Sequence, residues 1–187
     1  SAHVRRPLTL IAESDLNDAR LVTPREAGGY GLDAQWSDDF HHAVHVALSG
    51  ETAGYYADFE PLEALSKVCE RGFFHDGTWS SFRGRAHGHP IDPRIPAWRL
   101  VTFSQDHDQI GNLPLGDRLS VQADEAALTA ALAMTLLAPM PPLLFTLVCD
   151  KVKSAPMPFF VKPIARAIAG KVMDGFVSPN LKSQLDF

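Results

Sequence analysis

Residues 98–108 read WRLVTFSQDHD, and the order of chemical character along them decides the fold. The apolar run of Trp98 to Ser104 has the composition of a strand covered on both faces, and it closes on Gln105-Asp106-His107-Asp108-Gln109, a polar end open to solvent. Leu8 to Ala12 (LTLIA) repeats the arrangement and closes on Glu13-Ser14-Asp15. Asp33 to Trp36 is a shorter third strand. Between them the spacing predicts helices. One runs from Asp39 to Leu48, with Ser37 or Asp38 to cap it and Gly50 to end it. A second runs from Pro61 to Arg71, with proline in its first turn, Leu62, Leu65, Val68 and Cys69 on one face and Gly72 as the stop. Phe73 to Pro96 has no periodicity and reads as a long loop, and long ordered loops commonly carry function. Ala123 to Leu137 is the strongest helix, and Pro142 to Val148 is compatible with a strand or the start of a helix.

Strands alternating with helices indicate an α/β fold with parallel strands. The chain has 187 residues, whereas a complete (β/α)8 barrel takes about 250. The expectation is therefore a partial, half β/α barrel of about four parallel strands with C-terminal helices, residues 1–139 forming the barrel part and 140–187 a helical segment.

A charged fraction of 21%, a hydrophobic fraction of 45% and a net charge of −5 describe an ordinary globular protein and give nucleic acid no basic surface to bind. Cys69 and Cys149 match no metal or redox spacing, which with the short apolar run near the N-terminus suggests a cytoplasmic protein. From Ala126 to Cys149 no charge occurs, long enough for a membrane span, but Pro139, Pro141 and Pro142 would break its hydrogen bonding. A buried helix followed by a strand is expected instead.

Parallel sheets put their chemistry at the carboxyl ends of strands, which is where Glu13 and Asp108 stand. Two such carboxylates suit sugar hydrolysis, one as general acid and one to support an oxocarbenium-like transition state. Acidic residues at strand ends are common, so the local wording has to carry more.

That wording is LIAESDLNDARLV around Glu13, GGYGLDAQWSDDFHHAVHVALSGE from Gly28, GFFHDGTWSSFRGRAHG from Gly72 and VTFSQDHDQIGNLPLGDRLS from Val101. Together, over roughly residues 6–138 and in family order, these segments resemble the later half of the catalytic barrel of the malto-oligosyltrehalose trehalohydrolases, in glycoside hydrolase family 13. The resemblance implies a retaining α-glycosidase with Glu13 as acid/base and Asp108 as stabiliser. It implies His107 as a contact to the scissile glucose, and Asp33, Trp36, Asp38, Phe40, His41, His75, Asp76 and Arg83 in segments that line the cleft. The ligand it implies is an α-glucan or malto-oligosyltrehalose, with no cofactor.

The chain departs from that pattern. The family's nucleophile lies in an Arg-x-Asp-Ala motif before the first strand read here, and no such motif occurs in these residues. Asp106 stands where the family commonly has Asn, and Leu113-Pro114 replaces a more polar pair. Full activity is therefore not expected; a non-catalytic folded chimera, or a promiscuous hydrolase using Glu13, Asp108 and the histidines, are the alternatives. Residues 140–187 resemble the helical domain of a bacterial glutathione S-transferase, with Ile164 to Val177 as a helix, which implies a recombined, engineered or metagenomic product. His41 and His45 share a helix face and could hold a metal, but no third ligand is identifiable and none is expected. Open sheet edges make a homo-oligomer the expected state, joined through Leu8–Ala12 and Trp98–Ser104.

Overall fold

A computed structural model describes residues 6–111 and 118–144. Three strands form its sheet: β1 (Ile11–Ala12), β2 (Ala34–Trp36) and β5 (Leu100–Val101), all parallel, in the order β1-β2-β5. Ile11 lies opposite Ala34 and Ala12 opposite Gln35, while Gln35 pairs Leu100 and Trp36 pairs Val101. Beyond β5 the parallel ladder continues at one point, Thr102 with Pro142, where Thr102 N–H donates to Pro141 O (2.9 Å) and Leu143 N–H to Thr102 O (2.7 Å). Pro142 thus occupies a fourth strand position, and neighbours in sequence are neighbours in the sheet, as along one arc of a barrel wall.

The ladder is shorter than the apolar runs suggest. Residues 97–99 form a 3-10 turn, so pairing starts at Leu100 rather than Trp98. At the other strand Leu8 and Leu10 are 46% and 55% exposed, because β1 is the sheet edge and no described strand lies beyond it. Of the two runs expected to join copies of the chain, the second buries Leu100, Val101 and Phe103 and leaves only Trp98 of its large apolar side chains in solvent.

The helices sit on one face. Helix α1 (Asp38–Ser49) opens with Asp38 and Asp39, charges that suit a helix N-terminus, and closes at Gly50 in the left-handed conformation. Ser37 occupies the cap position, but its hydroxyl donates to Gly72 O instead of to the helix (3.5 Å). Helix α2 (Pro61–Arg71) ends at Gly72, where a Cβ would lie 2.6 Å from Ile91 Cδ1 and 2.7 Å from Leu100 Cδ1. Leu62, expected on its apolar face, is 79% exposed; Ala64, Leu65 and Val68 form the buried stripe. The long helix α5 (Glu125–Leu137) is capped by Asp124, whose carboxylate accepts from Ala127 N–H (2.8 Å), and it packs against α1 through Ala131. Phe40, Val44, Phe59, Val68, Phe73 and Leu100 make the core between helices and sheet, each burial of such a side chain contributing roughly 1.5–3 kcal/mol.

The loop from Phe73 holds more order than its composition suggests: β3 (Trp79–Ser80) and β4 (Arg85–Ala86) pair antiparallel within it. Two short helices, α3 (His107–Gly111) and α4 (Leu119–Gln122), were not expected from periodicity. Among the described residues no helix is long and apolar enough to cross a membrane. Leu113, Pro114, Cys149 and the helix expected at 164–177 lie outside the described residues, as does most of the segment 140–187.

Candidate active site at the carboxyl ends of the strands

Glu13 leaves β1, Trp36 ends β2 with Asp38 and Asp39 following it, and Asp106 to Asp108 follow β5. Parallel direction brings all of these to one end of the sheet. His107 stands between the two carboxylates, its Nε2 3.4 Å from Glu13 Oε1 and 3.4 Å from Asp108 Oδ1. All three side chains are about half exposed, and their donor atoms lie within 4.8 Å of one another, a spacing that a cation could also bridge. Trp36 meets the edge of the His107 ring at 5.9 Å between centroids and packs on Phe103 at 5.2 Å.

Helix α3 orients the second carboxylate. Asp106 Oδ1 accepts from Asp108 N–H (2.8 Å) and Gln109 Oε1 accepts from Asp106 N–H (2.7 Å), the reciprocal arrangement of a capping box. Asp106 is buried, and burial raises its carboxyl above the ordinary range. Asp38 is affected more strongly: burial first, then the nearby charges of Asp15, Asp106, Asp39 and Asp108, push it up to about 7. Near neutral pH this carboxyl is partly protonated, and so can donate as well as accept a hydrogen bond.

His41 is on the buried side of the site. Its Nδ1 donates to the Ser104 carbonyl (2.9 Å), which leaves Nε2 to accept from the Tyr56 hydroxyl (3.3 Å). The ring stacks on Phe103 with planes 9° apart, and burial lowers its pKa to about 4. His41 is thus a neutral peg holding the chain that leaves β5. His45, on the same helix, pairs with Glu51 just beyond its C-terminal end at 2.8 Å, and burial lowers His42 as well.

His75 is buried, its ring 3.6 Å from Asp58 and 3.3 Å from the Thr78 hydroxyl. Arg83 pairs with Asp15, two residues beyond Glu13. Asp76 pairs with Lys67 (2.8 Å) and faces a separate cavity of about 580 Å³ bounded by Cys69, Ile91, Pro96 and Leu100. Phe40 belongs to the helix core. Asp33 precedes β2, so the structure puts it at the amino end of the sheet, away from Glu13 and Asp108. There its carboxylate accepts from Leu10 N–H (2.7 Å) and fixes the start of the ladder.

Three participants carry no signal in the composition. Asp39 is almost wholly buried and accepts through one oxygen from the Asn17 side chain (2.7 Å), Phe74 N–H (2.8 Å) and His75 N–H (3.0 Å). Burial raises its carboxyl and these donors oppose the shift. Asn17 adopts a left-handed backbone (φ 51°), and the Ser104 contribution is a carbonyl that any residue would supply. Of these only Asp39, in the Asp-Asp pair that opens α1, could have been suspected.

Malto-oligosyltrehalose trehalohydrolase from Arthrobacter ramosus is 66% identical over 140 residues, which is 75% of this chain and 24% of the relative. The protein of the same name from Rhizobium sp. (strain M-11) is 60% identical over 141 residues, and that from Mycobacterium tuberculosis 51% over 146. A crystal structure of an alpha amylase from Salmonella typhimurium superposes with a TM-score of 0.70 and 32% identity, covering 91% of this chain and 30% of that one. No family model matches the chain. The chain therefore spans about a quarter of the length of the curated relatives it matches. None of the relatives named here is a glutathione transferase, and the likeness of 140–187 to one is without support among them.

Proposed function

We propose that residues 6–138 are the acid-bearing part of a trehalose-releasing α-glycosidase of the α-amylase type. The observation that carries this is the convergence of Glu13, His107 and Asp108, from two strands far apart in sequence, at one end of the sheet of a chain that is 66% identical over 140 residues to a trehalohydrolase. Glu13 would give its proton to the glycosidic oxygen as the bond to C1 breaks. Asp108 would stabilise the positive charge that develops on the ring. Trp36 and His107 offer a flat edge to a glucose unit, and the Asp38 carboxyl a hydrogen-bond donor to one of its hydroxyls.

The retaining route also needs a carboxylate to attack C1 and form the covalent glycosyl intermediate, and the Arg-x-Asp-Ala segment that would supply it does not occur in these residues. The 187-residue chain by itself is therefore expected to bind a malto-oligosyltrehalose weakly and to release no trehalose. Assay of trehalose from maltotriosyltrehalose is the test. Release that Glu13→Gln abolishes would overturn the inactive state while supporting the role of Glu13; release that Glu13→Gln leaves unchanged would remove Glu13 from the chemistry. The exposed edge of β1, with Leu8 and Leu10 in solvent, favours self-association, which light scattering at micromolar concentration measures.

A further inference from the structure

Glu13 stands in a segment, residues 13–17, with neither helix nor strand, yet that segment is tied down at several points. Apart from the contact of Glu13 with His107 and a local bond from Leu16 N–H to the Ser14 hydroxyl, these ties lead to residues 73–89 or to Asp39. The Asp15 carboxylate pairs with Arg83, and the Asp15 carbonyl accepts from His87 Nε2 (2.8 Å). Asn17 O accepts from His89 N–H (3.0 Å), and its side chain donates to both His75 O (3.0 Å) and Asp39 (2.7 Å). The fit leaves no slack: a Cβ on Gly88 would lie 1.9 Å from His75 O and 2.9 Å from Asn17 Cβ. Asp39, fixed on the first turn of α1, joins Asn17 to the amides of Phe74 and His75 through a single oxygen.

We propose that Asp39, acting through Asn17, is a positioning residue for Glu13, and that residues 73–89 serve as its brace. The proposal rests on reading Glu13 as the acid group. A buried carboxylate that gathers an otherwise irregular segment onto a rigid helix is how a half-exposed side chain is kept near one place, and sites tolerate only about 0.5 Å of drift. His75 and Arg83 then act on the site through the backbone that carries Glu13.

Nuclear magnetic resonance on the whole chain tests this without needing turnover. Asn17→Gly accepts the left-handed backbone and deletes the carboxamide side chain with its Cβ, so it should fold; Asp39→Asn keeps the shape and removes the charge. The proton contact between Glu13 and His107 is the readout, with the Trp36 to His107 ring contact as internal control. The inverse sixth-power dependence turns a shift of about 0.5 Å into roughly a twofold loss of intensity. The expected result is that loss at Glu13 in both variants, with the Trp36 contact unchanged. A Glu13 contact that survives while the melting temperature falls would overturn the proposal, leaving Asp39 a purely structural residue. Loss of both contacts together would also overturn it, since the disturbance would then not be specific to Glu13. A parallel titration with maltotriosyltrehalose separates the two ideas: no binding by the unaltered chain would count against the glycosidase reading and leave the brace standing on its own result.

Discussion

The two ends of the same three strands are held in different ways. At the amino end the backbone is clamped by few groups: Asp33 takes the Leu10 amide, and Arg99 donates to the carbonyls of Leu32 (3.0 Å) and Asp33 (2.9 Å). At the carboxyl end Glu13, Asp15, Asp38, Asp39, Asp106 and Asp108 are crowded together, and two of the buried ones, Asp39 and Asp106, are stabilised by backbone N–H groups. Like charges at such density oppose folding, so their concentration at one end is a cost that stability alone does not explain. On the function proposed above, stability is served at one end and chemistry at the other.

The largest expected effect is a matched pair of truncations. Asp39→Ala strands the buried amides of Phe74 and His75, at about 1–3 kcal/mol for each donor left unpaired, so a loss of about 3 kcal/mol is expected. Asp33→Ala removes one bond at a partly exposed site and should cost about 1 kcal/mol. Denaturant unfolding of both variants measures the difference, and equal losses would break the comparison.

Acid sharpens it further. Asp38 titrates near 7 in the folded chain against an ordinary value of 3.8, so between those limits the folded form holds the extra proton and stability falls as pH rises. His41 titrates near 4 against 6.5, so between those limits the unfolded form holds the extra proton and stability rises with pH. The two oppose one another between about pH 4 and 6.5. Asp38→Asn should tilt the curve upward over that window, by at most about 1.4 kcal/mol per pH unit, and His41→Asn should tilt it downward. Unfolding midpoints measured across the window would show it. The smallest effect belongs to Arg83→Ala, which breaks a half-exposed ion pair with Asp15 and should change stability by less than about 1 kcal/mol.

Much of this was legible in the sequence. LTLIA and WRLVTFS located two strands, and the acids following them named Glu13 and Asp108, because a parallel sheet fixes which end of a strand is exposed for chemistry. Pro61 and Gly72 bounded α2 to the residue. Periodicity misplaced Leu62, since a first-turn position can point past the neighbouring element into solvent. The hairpin at residues 79–86 was hidden because two-residue strands have no period to detect. Asp33 was drawn into the cleft by resemblance, although an acid preceding a strand lies at the opposite end from one following it. Asn17 acts through a left-handed backbone and Ser104 through a carbonyl, properties that belong to the fold rather than to the side-chain alphabet.

The central claim, that the carboxyl end binds glucan and the amino end does not, is tested most directly by mapping amide and side-chain resonances during titration with maltotriosyltrehalose. The account predicts shifts at Glu13, Trp36, Asp38, His107 and Asp108, with Asp33 and Arg99 unmoved. Shifts centred on Asp33 and Arg99, or no saturable shift at either end, would contradict it.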